Sequence, residues 1–165
     1  MCRATPALGG NPCETVGELP AVGSSAPPFT LIASDFSEVT LPTGSRSVLN
    51  IFPSIDTGVC AASVKEFNAR AGGLENTSVI CVSADLPFAL ARFCGAEGIK
   101  NVTAASAFRS DFGTTYGVTL ADGAFQGLFA RAVVVVGTDC TVLHTELVPE
   151  IGTAPDYDAA VAALG

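Results

Sequence analysis

The sequence lacks tryptophan, contains a single histidine, and has only eight lysine and arginine residues against sixteen acidic ones. The resulting formal net charge of −8 argues against a nucleic-acid partner, because a nucleic-acid surface needs clustered basic side chains. No Cys-x-x-Cys pair occurs, so neither a structural zinc site nor a dithiol–disulfide oxidoreductase is expected. We expect no metal and no cofactor.

Long apolar runs are also lacking. None approaches the roughly 20 residues that a membrane-spanning helix needs, so no membrane partner is expected. Residues 1–6 show no basic region followed by an apolar core, and we predict no signal peptide. A cytoplasmic location with reduced thiols follows as our expectation, because structural disulfides belong to oxidising compartments.

The composition is that of a globular protein with a real core. Hydrophobic residues make up 48% of the chain and charged residues only 15%, which excludes a disordered protein. A length of 165 residues predicts one domain over residues 1–165. An even count of cysteines can indicate a disulfide framework, but a core of this size does not need one. The six cysteines are Cys2, Cys13, Cys60, Cys81, Cys94 and Cys140.

The most informative segment is residues 48–70, which predicts a buried strand, a polar turn and a helix beginning at Val59. Cys60 then lies in the first helical turn, where unpaired backbone N–H groups and the helix dipole favour an anion. A thiol placed there is driven toward thiolate, the form that attacks. The alternative is that Cys60 is a small buried hydrophobe, as free cysteines often are.

The other elements follow in an alternating order. A turn at residues 9–12 predicts an N-terminal β-hairpin. A second buried strand over residues 78–82 contains Cys81, which we interpret as an inert core thiol. A helix begins at Pro87, with Asp85 as its expected cap, carries Cys94 in its last turn and is broken by glycines. Further strands are predicted over residues 29–32, 39–41, 102–104, 129–136 and 141–147, a short helix or loop over 110–116, and a final helix over 156–164.

The order β-α-β-α-β, followed by a hairpin and a helix, predicts an α/β protein with a thioredoxin-like fold. Four segments strengthen this prediction because they resemble, in order, one branch of the peroxiredoxins. This branch is the thiol peroxidases, which are atypical two-cysteine enzymes. The first contains the Pro-x-x-x-Thr-x-x-Cys spacing of Pro53, Thr57 and Cys60. The four segments are residues 50–63, 83–89, 92–98 and 130–135.

Three residues of the first segment have both a chemical and a structural interpretation. Cys60 is the expected peroxidatic nucleophile, which attacks one peroxide oxygen. Thr57 is expected to direct its hydroxyl into the same pocket, although it could simply cap the helix. Pro53 is expected to wall the pocket and shield the thiolate from water, although it could simply end the strand.

Arg131 lies in an apolar run that is predicted as a strand, where a charge is costly without a partner. A guanidinium group facing the Cys60 thiolate would supply that partner. The alternative is an arginine at a strand end whose side chain reaches solvent. The resemblance favours the catalytic role, because Arg131 matches the active-site arginine of peroxiredoxins.

Cys94 is the candidate for trapping an oxidised Cys60, because it ends a helix beside glycines, where local opening costs little. Its position matches the resolving cysteine of thiol peroxidases. The resemblance implies an intramolecular Cys60–Cys94 disulfide, thioredoxin as reductant and a homodimer. It also implies that Cys2, Cys13 and Cys140 are incidental.

We therefore predict a thiol-dependent peroxidase that reduces hydrogen peroxide and organic hydroperoxides, with the preference for alkyl or lipid substrates implied by the resemblance. A peroxide-sensing relay is the alternative from a different class. Such a relay would use the same cysteines but would pass its disulfide to a partner protein. An assay of peroxide turnover with and without thioredoxin distinguishes the peroxidase from the relay.

Overall fold

The computed structural model describes residues 3–165, and Cys2 lies outside them. Nine strands and four helices form in the order that the sequence predicts. The strands are β1 (Ala7–Leu8), β2 (Asn11–Pro12), β3 (Thr30–Ala33), β4 (Glu38–Thr40), β5 (Arg46–Ile51), β6 (Thr77–Ser83), β7 (Thr103–Ser106), β8 (Ala132–Val136) and β9 (Val142–Leu147). The helices are α1 (Gly58–Ala71), α2 (Pro87–Glu97), α3 (Phe112–Thr115) and α4 (Tyr157–Ala162).

Seven strands form one mixed sheet in the order β4-β3-β7-β6-β5-β8-β9, and β1 and β2 form the separate N-terminal hairpin. Strands β5, β6 and β7 are parallel, while β8 runs antiparallel to β5 and pairs Ala132 with Ile51. The carboxyl ends of β5 and β6 and the amino end of β8 therefore meet at one edge of the sheet. Residues just outside these ends are brought together there.

Each face of the sheet is covered by its own apolar cluster, because successive strand residues point to opposite faces. Val48 and Phe52 pack on the face covered by α1, α2 and α4, whereas Leu49 and Ile51 pack on the other face. Helix α1 buries Cys60, Ser63, Val64 and Phe67. Cys60 is thus an integral part of the core beneath the sheet edge.

The hairpin, both buried strands and the four helices lie close to their predicted positions, but three local predictions are wrong. Asp85 does not cap α2, because the N-cap is Leu86 and no side chain caps it. Gly95 does not break α2, which continues to Glu97 and ends at Gly98 in the left-handed conformation, with φ of +64°. Arg131 is not inside a strand, because β8 begins at Ala132.

Among residues 3–165, no helix is long and apolar enough to cross a membrane. The same residues contain no group of three or more histidine, cysteine, aspartate or glutamate side chains placed to hold a metal ion.

Candidate active site

Cys60 is the third residue of α1 and is completely shielded from solvent. Helix α1 follows β5 after a six-residue turn, so the thiol lies at the carboxyl edge of the sheet, as predicted. The helix start contains no acidic residue in its first turn, which leaves the positive end of the dipole uncompensated. The start of α1 therefore favours an anion at its first turn.

Arg131 is the cation that the sequence predicts for this thiol. Its Nη2 atom donates to the Cys60 Sγ at 3.2 Å, and its Nε atom donates to the Ile151 carbonyl oxygen at 2.7 Å. The side chain is only 2% exposed, which rules out the alternative of an arginine that reaches solvent. Its Nη1 atom is buried without a hydrogen-bond partner among the described residues. One donor therefore holds the sulfur, one fixes the guanidinium group, and one is free for a ligand.

A cavity of about 160 Å³ reaches this guanidinium group, and we refer to it as the Arg131 pocket. Its walls are mainly apolar and include the start of α1 but not the Cys60 side chain itself. They are formed by Leu8, Pro53, Thr57, Gly58, Val59, Phe125, Arg131, Ile151 and Gly152. A small ligand that enters this pocket meets Arg131, whose Nη2 atom contacts the buried Cys60 sulfur.

Thr57 and Pro53 both line the Arg131 pocket. Thr57 is the N-cap residue of α1, but its side chain makes no capping hydrogen bond. Its hydroxyl donates to the Ser54 carbonyl oxygen at 3.1 Å instead, which fixes the rotamer beside the pocket. Pro53 is buried and carries no N–H group, so it presents an apolar wall rather than a donor.

Asp85 belongs to the site although the sequence assigned it only to capping α2. Its carboxylate accepts hydrogen bonds from Ser54 Oγ at 2.8 Å, from the Ile55 backbone N–H at 2.7 Å and from Ser83 Oγ at 2.6 Å. The bonds from Ser54 and Ile55 hold the loop between β5 and α1. No local pattern reveals them, because the loop lies 30 residues earlier in the chain.

A second buried network fixes the start of α1 from the core side. Ser63 Oγ donates to the Cys60 carbonyl oxygen at 2.7 Å, and Asn50 Nδ2 donates to Ser63 Oγ at 3.1 Å and to Cys81 Sγ at 3.7 Å. The sequence contains one signal for this network. Asn50 is a polar residue inside the apolar strand β5, and a buried amide group needs hydrogen-bond partners. The network restricts movement of the helix turn that contains Cys60.

Cys94 forms no disulfide with Cys60, although both belong to the apolar cluster on the face of the sheet covered by α1, α2 and α4. It lies in the last turn of α2, is half-buried, and lines a cavity of about 410 Å³ beside the β3–β4 turn, which is separate from the Arg131 pocket. Burial raises the pKa of the Cys94 thiol above its ordinary value. All five described cysteines are free thiols. A bond between Cys60 and Cys94 therefore requires local rearrangement.

None of the three other described thiols lines the Arg131 pocket. Cys81 is fully buried in the core, as predicted, and this burial raises its pKa to about 12. Cys13 is buried under the N-terminal hairpin, and Cys140 is half-buried in the turn before β9.

Comparison with known proteins places this arrangement in a family. The Redoxin family model matches residues 21–161. The thiol peroxidase of Mycobacterium tuberculosis strain H37Rv is 58% identical over 160 residues, covering 96% of both chains. The thiol peroxidase of Corynebacterium glutamicum is 55% identical, covering 94% of this chain and 95% of the relative.

The solved structures agree. The crystal structure of a peroxiredoxin-like protein from Aquifex aeolicus matches with a TM-score of 0.94 and 39% identity, covering 99% of this chain and 98% of that one. This similarity confirms the thioredoxin-like fold. The chain belongs to the Redoxin family and is a peroxiredoxin enzyme of the thiol peroxidase type, which reduces peroxides with a thiol.

Proposed function

We propose that this enzyme reduces hydrogen peroxide and organic hydroperoxides, including alkyl and lipid hydroperoxides, with Cys60 as the nucleophile. The observation that carries the proposal is the buried contact of 3.2 Å between Cys60 Sγ and Arg131 Nη2, with Arg131 Nη1 left for the peroxide. Thr57 and Pro53 complete the pocket wall.

In the first step, the Cys60 thiolate attacks one peroxide oxygen, an S–O bond forms and the O–O bond breaks. The sulfur is oxidised to a sulfenic acid, and the other oxygen leaves as water or alcohol after taking up a proton. Arg131 stabilises the negative charge that develops on the leaving oxygen. The apolar walls exclude water, which strengthens this interaction.

In the second step, the Cys94 thiol condenses with the Cys60 sulfenic acid and releases one water molecule. Both thiols are free in this structure, so we propose that the first turn of α1 or the last turn of α2 opens to bring the two Cα atoms within the roughly 7 Å that a disulfide needs. The glycine at the end of α2 and the exposed surface of its last turn make opening there inexpensive. Thioredoxin then reduces the disulfide and is itself oxidised.

A set of cysteine variants tests this cycle. Cys60→Ser should abolish turnover of hydrogen peroxide with thioredoxin, thioredoxin reductase and NADPH. Cys94→Ser should form one sulfenic acid at the wild-type rate and then stop. Cys140→Ser is the matched control and should cycle normally. Thioredoxin-driven cycling of Cys94→Ser, or a Cys60 bridge to another cysteine by mass spectrometry, would refute the proposed second step.

The same assay decides the alternative of a peroxide-sensing relay. A relay would form the Cys60–Cys94 disulfide with peroxide but would not turn over with thioredoxin. We favour the peroxidase because a pocket lined by the arginine that contacts the thiol suits repeated peroxide binding. Rapid multiple turnover with thioredoxin is the expected result.

We also propose that the enzyme is a homodimer and works in the cytoplasm. Leu86 and Phe88 are 54% and 71% exposed at the start of α2, and Phe88 packs against Phe36 with ring centroids 5.2 Å apart. This exposed apolar patch suits a second copy of the chain. Phe88→Asp should give a monomer in light scattering, whereas Val22→Asp, at another exposed apolar position, should not.

Recycling by thioredoxin, like the free thiols, fits a reducing compartment.

A further inference from the structure

The segment that follows β9 holds the guanidinium group of Arg131. At the end of the β8–β9 ladder, the Val148 N–H donates to the Arg131 carbonyl oxygen at 3.0 Å. Further along the chain, the Ile151 carbonyl oxygen accepts from Arg131 Nε at 2.7 Å. This bond and the contact of Arg131 Nη2 with Cys60 Sγ fix the plane of the guanidinium group. The orientation of Arg131 therefore depends on the direction of the Ile151 carbonyl group.

The backbone around Ile151 pairs with the N-terminal hairpin. The Ala7 N–H donates to the Pro149 carbonyl oxygen at 2.7 Å, and the Ile151 N–H donates to the Ala7 carbonyl oxygen at 2.8 Å. These two bonds make an isolated parallel bridge between Ala7 and Glu150. The segment that orients the guanidinium group is thus attached directly to the hairpin.

The Glu150 side chain makes a second attachment, to the hairpin turn. Its Oε1 atom accepts from the Gly10 N–H at 2.8 Å, and its Oε2 atom accepts from the Gly9 N–H at 3.1 Å. Both glycines have a positive φ, as a two-residue turn of type I′ requires. Hydrogen bonds from the N–H groups of Gly152, Gly10 and Gly9 lower the pKa of Glu150, so its carboxyl group is ionised at neutral pH. The turn therefore holds the Glu150 carboxylate in one place.

The contact that reaches the active site is on the peptide group between Ile151 and Gly152. Its carbonyl oxygen accepts from Arg131 Nε, and its N–H donates to Glu150 Oε2 at 3.0 Å. A peptide group is planar, so the direction of its N–H bond also sets the direction of its carbonyl bond. A carboxylate on the N–H side also polarises the group, which strengthens the carbonyl oxygen as an acceptor. Glu150 therefore acts on Arg131 through a single peptide group.

We propose that Glu150 is a positioning residue for peroxide reduction, because its carboxylate links the N-terminal hairpin to the peptide group that orients Arg131. This inference rests on the proposed function, in which Arg131 stabilises the leaving oxygen, and it adds a residue that acts through Arg131. A misplacement of about 1 Å in a reacting group can cost about a hundredfold in rate. Release of the Ile151 carbonyl group should therefore slow the attack of Cys60 on the peroxide.

Glu150→Gln removes the charge and keeps the size of the side chain. The amide nitrogen of glutamine cannot accept a hydrogen bond, so one oxygen must serve donors that two oxygens now share. Sulfenic acid formation with hydrogen peroxide, measured by stopped flow, should slow about tenfold.

The matched control is Asp122→Asn. Asp122, like Glu150, lies near Cys13 and adds to the effect of burial in raising the pKa of that thiol. Its carboxylate accepts from the Glu14 N–H at 2.8 Å. Asp122→Asn thus removes a negative charge from the same region without touching the peptide group that holds Arg131, and it should keep the wild-type rate.

A double-mutant cycle with Arg131→Met distinguishes positioning from a general loosening of the structure. If Glu150 acts through Arg131, its substitution has nothing left to disturb once the guanidinium group is gone. Glu150→Gln should then change the oxidation rate of the Arg131→Met protein by about twofold at most. A loss of about tenfold in both backgrounds would overturn the proposal.

Hydrogen exchange of the Arg131 Nε–H group, followed by NMR, tests positioning without turnover. Burial and the bond to Ile151 should protect this proton, and Glu150→Gln should raise its exchange rate about fivefold or more. Asp122→Asn should leave the exchange rate unchanged. A wild-type exchange rate or a wild-type oxidation rate in Glu150→Gln overturns the proposal. Inactivity of the wild-type protein toward every peroxide overturns the proposed function, and the exchange rate still decides whether Glu150 orients Arg131.

Discussion

The Asp85 carboxylate accepts a hydrogen bond of 2.7 Å from the backbone N–H of Ile55, which ties the loop in front of Cys60 to the start of α2. The same loop is held by Ser54 Oγ on the other carboxylate oxygen at 2.8 Å. Asp85 is therefore a positioning residue that connects the two segments that contain Cys60 and Cys94. Its backbone carbonyl oxygen also accepts from Ser106 Oγ, which anchors it to β7.

Asp85→Asn should slow sulfenic acid formation about tenfold or more, because misplacing a catalytic loop by a fraction of an ångström is costly. The amide group cannot accept from all three donors. Stopped-flow oxidation by hydrogen peroxide, measured against pH, gives the rate. Asp85→Glu should recover part of it, and Asp139→Asn, at a turn aspartate that accepts from Thr141, is the control. A wild-type rate in Asp85→Asn would show that the Asp85 carboxylate does not position the active-site loop for the reaction.

Arg131→Met should slow the same oxidation step by about two to three orders of magnitude, on the scale of losing one preorganised electrostatic group. The folded state should survive, because methionine fills most of the buried space with a flexible apolar side chain. Arg131→Lys should restore only part of the rate, because one ammonium group cannot bind Ile151 and Cys60 in the fork geometry of the guanidinium group. The measurement is stopped-flow oxidation, with thermal unfolding as the check on folding. An unchanged rate in Arg131→Met would leave Arg131 with a structural role only.

Arg92→Met should accelerate formation of the Cys60–Cys94 disulfide by up to about fivefold. Arg92 on α2 pairs with Asp56 in the active-site loop at 2.6 Å, and this pair breaks if α2 opens. Its side chains are 66% and 58% exposed, so the pair contributes only about 0–1 kcal/mol. Rapid quenching followed by mass spectrometry measures the rate. Arg3→Met, which removes the remote pair with Glu14, should leave it unchanged, and a slower reaction in Arg92→Met would contradict an opening of α2.

The buried Cys81 thiol should lower the free energy of unfolding at alkaline pH. Burial raises its pKa from 9.0 to about 12, so the unfolded thiol loses its proton at lower pH than the folded one. The stabilising contribution is fully present below pH 9 and is lost as pH rises from 9 to about 12. Over that range the free energy of unfolding should fall by about 1.4 kcal/mol per pH unit from this group.

Urea unfolding under reducing conditions at several pH values measures this slope. Cys81→Ala should have a shallower slope than the wild type, because it removes the titrating group. Val79→Ala, in the same strand and equally buried, should lower stability at every pH but keep the wild-type slope. Equal slopes for Cys81→Ala and the wild type would show that other groups govern the alkaline response.

The sequence by itself determined the continuous part of the site. Pro53, Thr57 and Cys60 lie within one strand–turn–helix segment, so their spacing places them around the start of a helix. The apolar strands, the glycine turns and the helix starts are also local signals, and they predicted the element order. Cys81 was recognisable as a core thiol because it lies inside a run of β-branched residues.

Only the tertiary structure decided the contacts between distant segments. Arg131 meets Cys60 because the antiparallel pairing of β8 with β5 brings the residue before Ala132 to the carboxyl end of β5. Asp85 was misread as a helix cap because a carboxylate near a helix start has that common local role. Two of its three partners, Ser54 and Ile55, lie on the neighbouring strand–helix connection. Sequence spacing fixes neighbours along an element, whereas sheet register and loop packing fix the contacts that make Arg131 and Asp85 part of the site.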